Sequence, residues 1–236
     1  MKTDKFYGQN GEDCILWSIF DNSYIGTYLD VGALDGKRFS NSYSFELAGW
    51  SGVCAEAHPD YISILRKNRP TATVIHAAVS LQDRDFAILF ANKLGTLSTL
   101  DGSMESYFKS AYPKAFYGYK KIPVPMRTVD SILEEVGIHK VDVVSIDVEG
   151  TELDVLRGFT LCKYKPRILV LEAIDKNREI KLQKYLASAA YLFARKTGNN
   201  VFYCKKEDVD VVKNAQIIPH KQLIHTEHPI KSGYIK

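Results

Sequence analysis

The chain has no Cys-x-x-Cys pair and no histidine set at zinc-finger spacing; its four cysteines, Cys14, Cys54, Cys162 and Cys204, are scattered. Nothing demands a structural metal or a disulfide framework, so a reducing, cytoplasmic setting is the expectation. Cys54 and Cys204 sit inside apolar strand patterns, where a thiol packs as a small hydrophobe. No apolar run approaches the roughly 20 residues of a membrane-spanning helix. The opening Met1–Lys5 is polar and lacks the apolar core of a signal peptide. No association with a membrane is therefore expected. Charge of one sign is also missing: 31 Lys and Arg against 28 Asp and Glu leave a net +3 with no like-charged block. That excludes the footprint of a nucleic-acid binder, and the lysines towards the C-terminus read as a solvated surface. Repeats and low-complexity linkers are lacking too. A length of 236 residues suits one α/β domain, taken as 1–236.

A further absence is more informative. Gly-x-Gly-x-x-Gly, the turn that brings a pyrophosphate onto a helix N-terminus, does not occur. In its place the apolar stretch Thr27–Val31 runs into Asp30-Val31-Gly32-Ala33-Leu34-Asp35-Gly36. A second strand, Gly52–Ala55, ends on Glu56. Glycines after a first strand let backbone approach a ligand closely, and an acid ending the next strand offers two acceptors to the two hydroxyls of a ribose. Asp30 and Asp35 would repel a pyrophosphate but suit a sulfonium and an ammonium group. The cofactor this pattern describes is S-adenosylmethionine rather than a dinucleotide.

Strand-like and helix-like runs alternate, which predicts a doubly wound α/β fold with a mostly parallel sheet covered on both faces. Helices are expected over 9–20, 41–48, 59–68, 129–136, 151–159 and 176–189. Strands are expected over 27–31, 52–56, 73–79, 122–127, 141–146 and 167–171, with 85–91 extending the third. A hairpin over 191–195 and 201–204, turned by Gly198-Asn199-Asn200, closes the pattern. Residues 92–120 break it: this long segment holds Tyr107, Phe108, Tyr112, Phe116, Tyr117 and Tyr119 and reads as a lid or acceptor loop. Lys109, Lys114, Lys120 and Lys121 beside these rings are candidates to reach hydroxyls or phosphates. The tail 206–236, with His220, His225 and His228, is left unplaced.

Six ordered blocks resemble the FkbM-type methyltransferases, which use S-adenosylmethionine and mostly modify oxygen atoms of sugars and natural products. The blocks are Gly8-Gln9-Asn10-Gly11-Glu12-Asp13, the Asp30–Gly36 turn, Ser40-Asn41-Ser42-Tyr43 with Gly49-Trp50-Ser51-Gly52, Glu56-Ala57-His58-Pro59, Ala77-Ala78-Val79-Ser80, and Ser145–Glu152. The resemblance implies the class I methyltransferase fold: a seven-stranded sheet with a C-terminal antiparallel hairpin. It implies that Asp30, Gly32, Ala33, Asp35 and Gly36 meet the methionine part of the cofactor and that Glu56 holds the ribose. Ala57, His58, Ala78 and Val79 would flank the adenine, with Gln9 and Asn41 as polar neighbours. His58 before a helix-opening proline also reads as a plain helix cap, and Gln9 as part of a helix N-terminus.

Asp30 and Asp147 end neighbouring strands at the switch point of such a sheet, where ligands bind. Methyl transfer needs alignment of donor and acceptor, and a sugar hydroxyl must also lose its proton. Asp147 and Glu149, two apart in extended chain, are the candidate bases, with Glu172 orienting the acceptor. Asp147, Glu172 and Asp175 would be the oxygen ligands if Mg²⁺ takes part, which the sequence does not favour. The expected acceptor is a sugar hydroxyl of a glycan or glycosylated metabolite, rhamnose being one such deoxysugar. The enzyme would be fused to or act with glycosyltransferases. Two other readings remain open: a nicotinamide-dinucleotide-binding oxidoreductase and a non-catalytic module of the same fold.

Overall fold

The computed structural model describes residues 5–21 and 23–216; the three tail histidines lie outside the described residues. A short helix α1 (Glu12–Trp17) leads into β1 (Thr27–Val31), α2 (Tyr43–Leu47), β2 (Ser51–Glu56), α3 (Pro59–Asn68) and β3 (Thr73–His76). Pro59 opens α3 at a position where its missing N–H costs nothing, and His58 Nδ1 accepts from Asp60 N at 3.3 Å. β4 (Ala78–Val79) and β5 (Arg84–Ala91) precede α4 (Glu105–Ala111), which lies inside the long aromatic segment. Then come β6 (Lys120–Arg127), α5 (Val129–Val136), β7 (Val143–Ile146), α6 (Glu152–Arg157), α7 (Leu161–Tyr164) and β8 (Ile168–Glu172). The chain finishes with α8 (Lys176–Ser188), β9 (Leu192–Thr197), β10 (Asn200–Cys204) and α9 (Val209–Asn214). Thr128 Oγ1 caps α5 by accepting from Ser131 N at 3.1 Å, and Gly137 ends that helix in the left-handed region.

Seven strands form one sheet in the order β3-β2-β1-β7-β8-β10-β9, parallel except for β10, which runs antiparallel to both β8 and β9. The expected terminal hairpin is present, and the order reverses between β1 and β7. Apolar residues alternate between two cores. Leu29, Val31, Val53, Val144, Ile146, Leu169 and Leu171 pack on one face with α5, α6 and α8. Tyr28, Cys54, Val143, Val170, Phe202 and Cys204 pack on the other with α1, Phe45 and Trp50. Burial on both faces explains why these strands read as near-continuous hydrophobic runs. Among the described residues no helix is long and apolar enough to cross a membrane.

One expectation is corrected. Residues 73–79 are not a single strand, and β5 does not extend it. β3 pairs with β2 only as far as Glu56↔His76, where β2 ends; the chain then leaves the main sheet at Ala77. β4 joins β6 and β5 in a separate three-stranded sheet of order β4-β6-β5. Pro123 and Pro125 are tolerated in its middle strand because β4 reaches β6 only at Met126 and Arg127.

Candidate active site

The C-terminal ends of β2, β1, β7 and β8 lie side by side and open into a cleft. Gly32 makes this geometry. Its φ of +85° turns the chain sharply, and a Cβ there would lie 1.7 Å from the Asp147 carbonyl oxygen. Only glycine lets β1 and β7 continue past one another at this point. Asp147 N donates to Val31 O at 2.9 Å, and Gly32 N and Ala33 N both donate to Ala55 O. The turn is thus pinned to both neighbouring strands.

The cleft wall contains Asp30, Gly32, Ala33, Asn41, Glu56, Ala57, Ala78, Val79, Asp147 and Glu149, all anticipated from sequence. Glu56 is buried and accepts from Leu34 N at 2.7 Å and His58 N at 2.6 Å, one on each oxygen. Those bonds fix the carboxylate, and each oxygen keeps lone-pair capacity for a ligand hydroxyl. Burial raises its pKa, and the backbone N–H groups oppose that rise. Asn41 Nδ2 donates to Ser145 Oγ at 3.2 Å, while its buried Oδ1 has no partner. That leaves a buried acceptor in the cleft wall free to take a donor from a ligand.

Five anticipated residues lie elsewhere. Asp35 accepts from Lys37 N and Arg38 N and pairs with Arg38 Nε at 2.5 Å, so it shapes the turn rather than facing the cleft. Gly36 packs on Arg69, whose Nη1 donates to Gly36 O at 3.1 Å. His58 caps α3, with its ring edge-on to Tyr61 and its body in a different hollow beside Tyr117 and Lys120. Gln9 is exposed in the turn that starts α1. Asp175 caps α8, accepting from Arg178 N at 2.9 Å and pairing with Arg178 Nη1 at 2.5 Å, which withdraws it from the metal set.

Glu149 takes the place of Asp175. Ligand oxygens of Asp147, Glu149 and Glu172 lie within 4.8 Å of one another, a donor set that suits a divalent cation. Burial raises the Asp147 pKa to about 7, assisted by the charges of Glu152 and Asp30. Burial first and neighbouring carboxylates second push Glu149 and Glu172 well above the usual carboxylate range. Three acids this close cannot all ionise cheaply, so protons are shared among them. Glu149 holds a left-handed backbone (φ +58°), uncommon without a glycine, between Val148 and Gly150. Glu152 Oε1 accepts from Val148 N at 3.3 Å and Gly150 N at 2.9 Å and stiffens this loop from below.

The long segment over residues 92–120 closes the cleft in part. Leu97 N donates to Glu149 Oε1 at 3.1 Å, and Thr96, Ser98, Thr99 and Leu100 line the wall. Most of its aromatics pack the segment on itself: Phe108 is fully buried with Leu97, Met104 and Ala115, and Tyr112, Phe116 and Tyr119 lean on them. The Tyr107 ring stays exposed at its rim; partial burial first and the charges of Glu172, Asp175 and Glu149 second raise its pKa, and Tyr112 is pushed up to about 12 by burial, with Tyr107, Glu172 and Glu149 adding. Lys109, Lys114, Lys120 and Lys121 are all exposed and none lines the cleft. The lysines expected near an acceptor thus stand outside the cleft wall.

The signature of the FkbM methyltransferase domain matches residues 30–197, the span that holds every cleft residue named above. The chain belongs to the FkbM methyltransferase family. It is a methyltransferase dependent on S-adenosylmethionine, the cofactor that supplies a sulfonium-bound methyl group. Solved structures similar to this methyltransferase include a precorrin-6y C5,15-methyltransferase from Geobacter metallireducens, at 12% identity and TM-score 0.45 over 82% of this chain and 88% of that one. A ribosomal protein L11 methylase from Lactobacillus delbrueckii matches at 12% identity and TM-score 0.46, over 84% and 79%. An O-methyltransferase from Bacillus cereus in complex with S-adenosylhomocysteine matches at 12% identity and TM-score 0.45, over 84% and 80%. No curated protein sequence matches the chain.

The residues present fit the cofactor. Glu56 offers two oxygens for a ribose, and the orphaned Asn41 Oδ1 in the same cleft wall has room for a ligand donor. Sequence reasoning missed Arg69 and Glu152. Glu152 lies inside a recognised block, directly before the apolar helix positions Leu153, Val155 and Leu156, where it reads as an ordinary first-turn acid. Arg69 follows a helix end with no motif around it, and only its burial in three dimensions reveals it.

Proposed function

We propose that this methyltransferase transfers a methyl group to a sugar hydroxyl of a glycan or glycosylated metabolite, a deoxysugar such as rhamnose being the first acceptor to test. The observation that carries this reading is the position of the three acids relative to Glu56. Glu56 ends β2 and Glu172 ends β8, three strand spacings apart, or about 14 Å. With the ribose at Glu56 and the amino-acid end of the cofactor at Asp30 and Gly32, the sulfonium methyl would face Asp147, Glu149 and Glu172. A poorly acidic hydroxyl needs a base at that point, and a carboxylate with a pKa of about 7 is matched to the task near neutral pH. In this reading Asp147 removes the proton, and Glu149 and Glu172 accept hydrogen bonds from further hydroxyls. Tyr107 and Tyr112 give the acceptor an amphipathic cover. The acceptor arises from a preceding glycosyl transfer; nucleic acid and membrane play no part.

The three-acid set also suits Mg²⁺, which would bind there and polarise the hydroxyl instead. The test is transfer of a labelled methyl group to a panel of rhamnosides and other glycosides, with and without EDTA. An alkali-stable methyl ether, formed equally with the chelator, is expected. An alkali-labile methyl ester or a methylated amine as the product would contradict the sugar-hydroxyl reading. Loss of transfer with EDTA, restored by Mg²⁺, would move the proton-relieving role from Asp147 to the ion.

A further inference from the structure

Behind the glycine turn lies an ion cluster with no assigned role. Arg69, at the end of α3, is 1% exposed and reaches three segments at once. Its guanidinium pairs with Glu46 of α2 through Nε and donates to Gly36 O at 3.1 Å, Ser40 Oγ at 3.3 Å and Ser42 Oγ at 2.9 Å. It stands over the rings of Tyr28 and Tyr43, and Nη1 lies 3.8 Å from Asp30 Oδ2. Ser42 Oγ donates to that same Oδ2 at 2.5 Å and Ser40 Oγ lies at 3.4 Å. From the β7 side Asn41 Nδ2 donates to Ser145 Oγ, and Ser145 in turn hydrogen-bonds to Asp30. Asp30 is held from both sides, and it alone of the two acids lines the cleft.

Charge counting gives this arrangement a purpose. Arg69 faces two carboxylates, Asp30 and Glu46, and matches only one. Glu46 is held ionised: burial alone would raise its pKa, but Arg69, Thr71 and Tyr28 bring it below the usual range. Asp30, at the cleft wall, is the acid left without a full counter-charge: burial raises its pKa, and Arg69, Ser42, Ser40 and Ser145 oppose that rise. A buried unmatched carboxylate is costly and would take up a proton unless donors and a cation hold it ionised. Arg69 and the serines are those donors. We infer that Arg69 is a positioning residue for the cofactor: with Ser42 it fixes the Asp30 carboxylate, favours its charged form and aims it to receive the ammonium group of the methionine moiety. This rests on the assignment of the cleft to S-adenosylmethionine.

The test compares two ligands that share the thioadenosine part and differ in the amino-acid part: S-adenosylhomocysteine and 5′-methylthioadenosine, titrated calorimetrically. In Arg69→Met, S-adenosylhomocysteine affinity is expected to fall roughly tenfold or more, with methylthioadenosine within about twofold of wild type. Arg69→Lys, which keeps the charge but not the fork, is expected to recover part of the loss. If Arg69→Met does not fold, Arg69→Lys and Ser42→Ala carry the same comparison, each weakening the amino-acid ligand selectively. Equal loss of both ligands would show Arg69 to be a scaffold residue only and overturn the proposal, as would unchanged binding of both. If wild type binds neither ligand, the cofactor assignment itself fails, an outcome distinct from the other two.

Discussion

At the residue scale the proposed chemistry rests on carboxylates whose surroundings set their protonation. Asp147, raised to about 7 by burial and by Glu152 and Asp30, stands out because its ordinary value lies near 4. A carboxyl group whose pKa is higher folded than unfolded stabilises the fold below its unfolded value. That contribution is lost as pH climbs from about 4 through 7, because the folded protein must then hold the charge. Asp147→Asn removes the penalty. The variant is expected to be more stable than wild type at pH 8 by about 1–3 kcal/mol, with the gap closing by pH 4. It is also expected to lose methyl transfer by about 10²–10⁴-fold while still binding S-adenosylhomocysteine. Denaturant titrations at the two pH values and a kcat–pH profile check both halves; wild-type kcat should rise with pH to a plateau above about 7. A variant that is less stable at pH 8, or that keeps wild-type activity, would remove Asp147 from its role.

At the scale of elements the decisive feature is the junction of β1 with β7. Gly32→Ala places a methyl group on the Asp147 carbonyl and forces a left-handed backbone on alanine. It is expected to cost about 3 kcal/mol or more and to abolish cofactor binding, read as a lowered denaturation midpoint and a silent calorimetric titration. Much at this scale was legible from sequence, and the reasons are physical. α3 with its N1 proline and α5 with its Thr128 cap have local signals that match their bounds. β1, β2, β7 and β8 are buried on both faces, so their apolar runs are nearly continuous. The three-stranded sheet was not legible. Whether residues 78–79 continue along β2 or cross to β6 depends on where β2 ends, a non-local matter that an apolar pattern does not encode. Asp175 illustrates the same limit: an acid after a strand serves equally as a ligand or as a helix cap, and only the nearby Arg178 decides.

At the scale of the molecule, two cores on opposite faces of one sheet make a platform, and the cleft forms along the edge made by the C-terminal ends of β1, β2 and β7, completed by β4 of the smaller sheet and by loop residues. Sequence blocks named most of that edge because glycines and acids at strand ends have few other reasons to recur in order. They could not name what supports the edge from behind, since Arg69 and Glu152 act through burial and contacts distant in sequence. The loop over residues 92–120 joins the edge through Leu97 and Glu149, so the cleft and this loop form one continuous surface. The account as a whole depends on that surface holding S-adenosylmethionine with its ribose at Glu56. Calorimetric titration of S-adenosylhomocysteine into wild type and Glu56→Ala tests this most directly. The account predicts roughly micromolar binding to wild type and a loss of about thirtyfold or more in the variant, with both proteins folded by thermal denaturation. No binding to folded wild type, or equal binding by both, would contradict it.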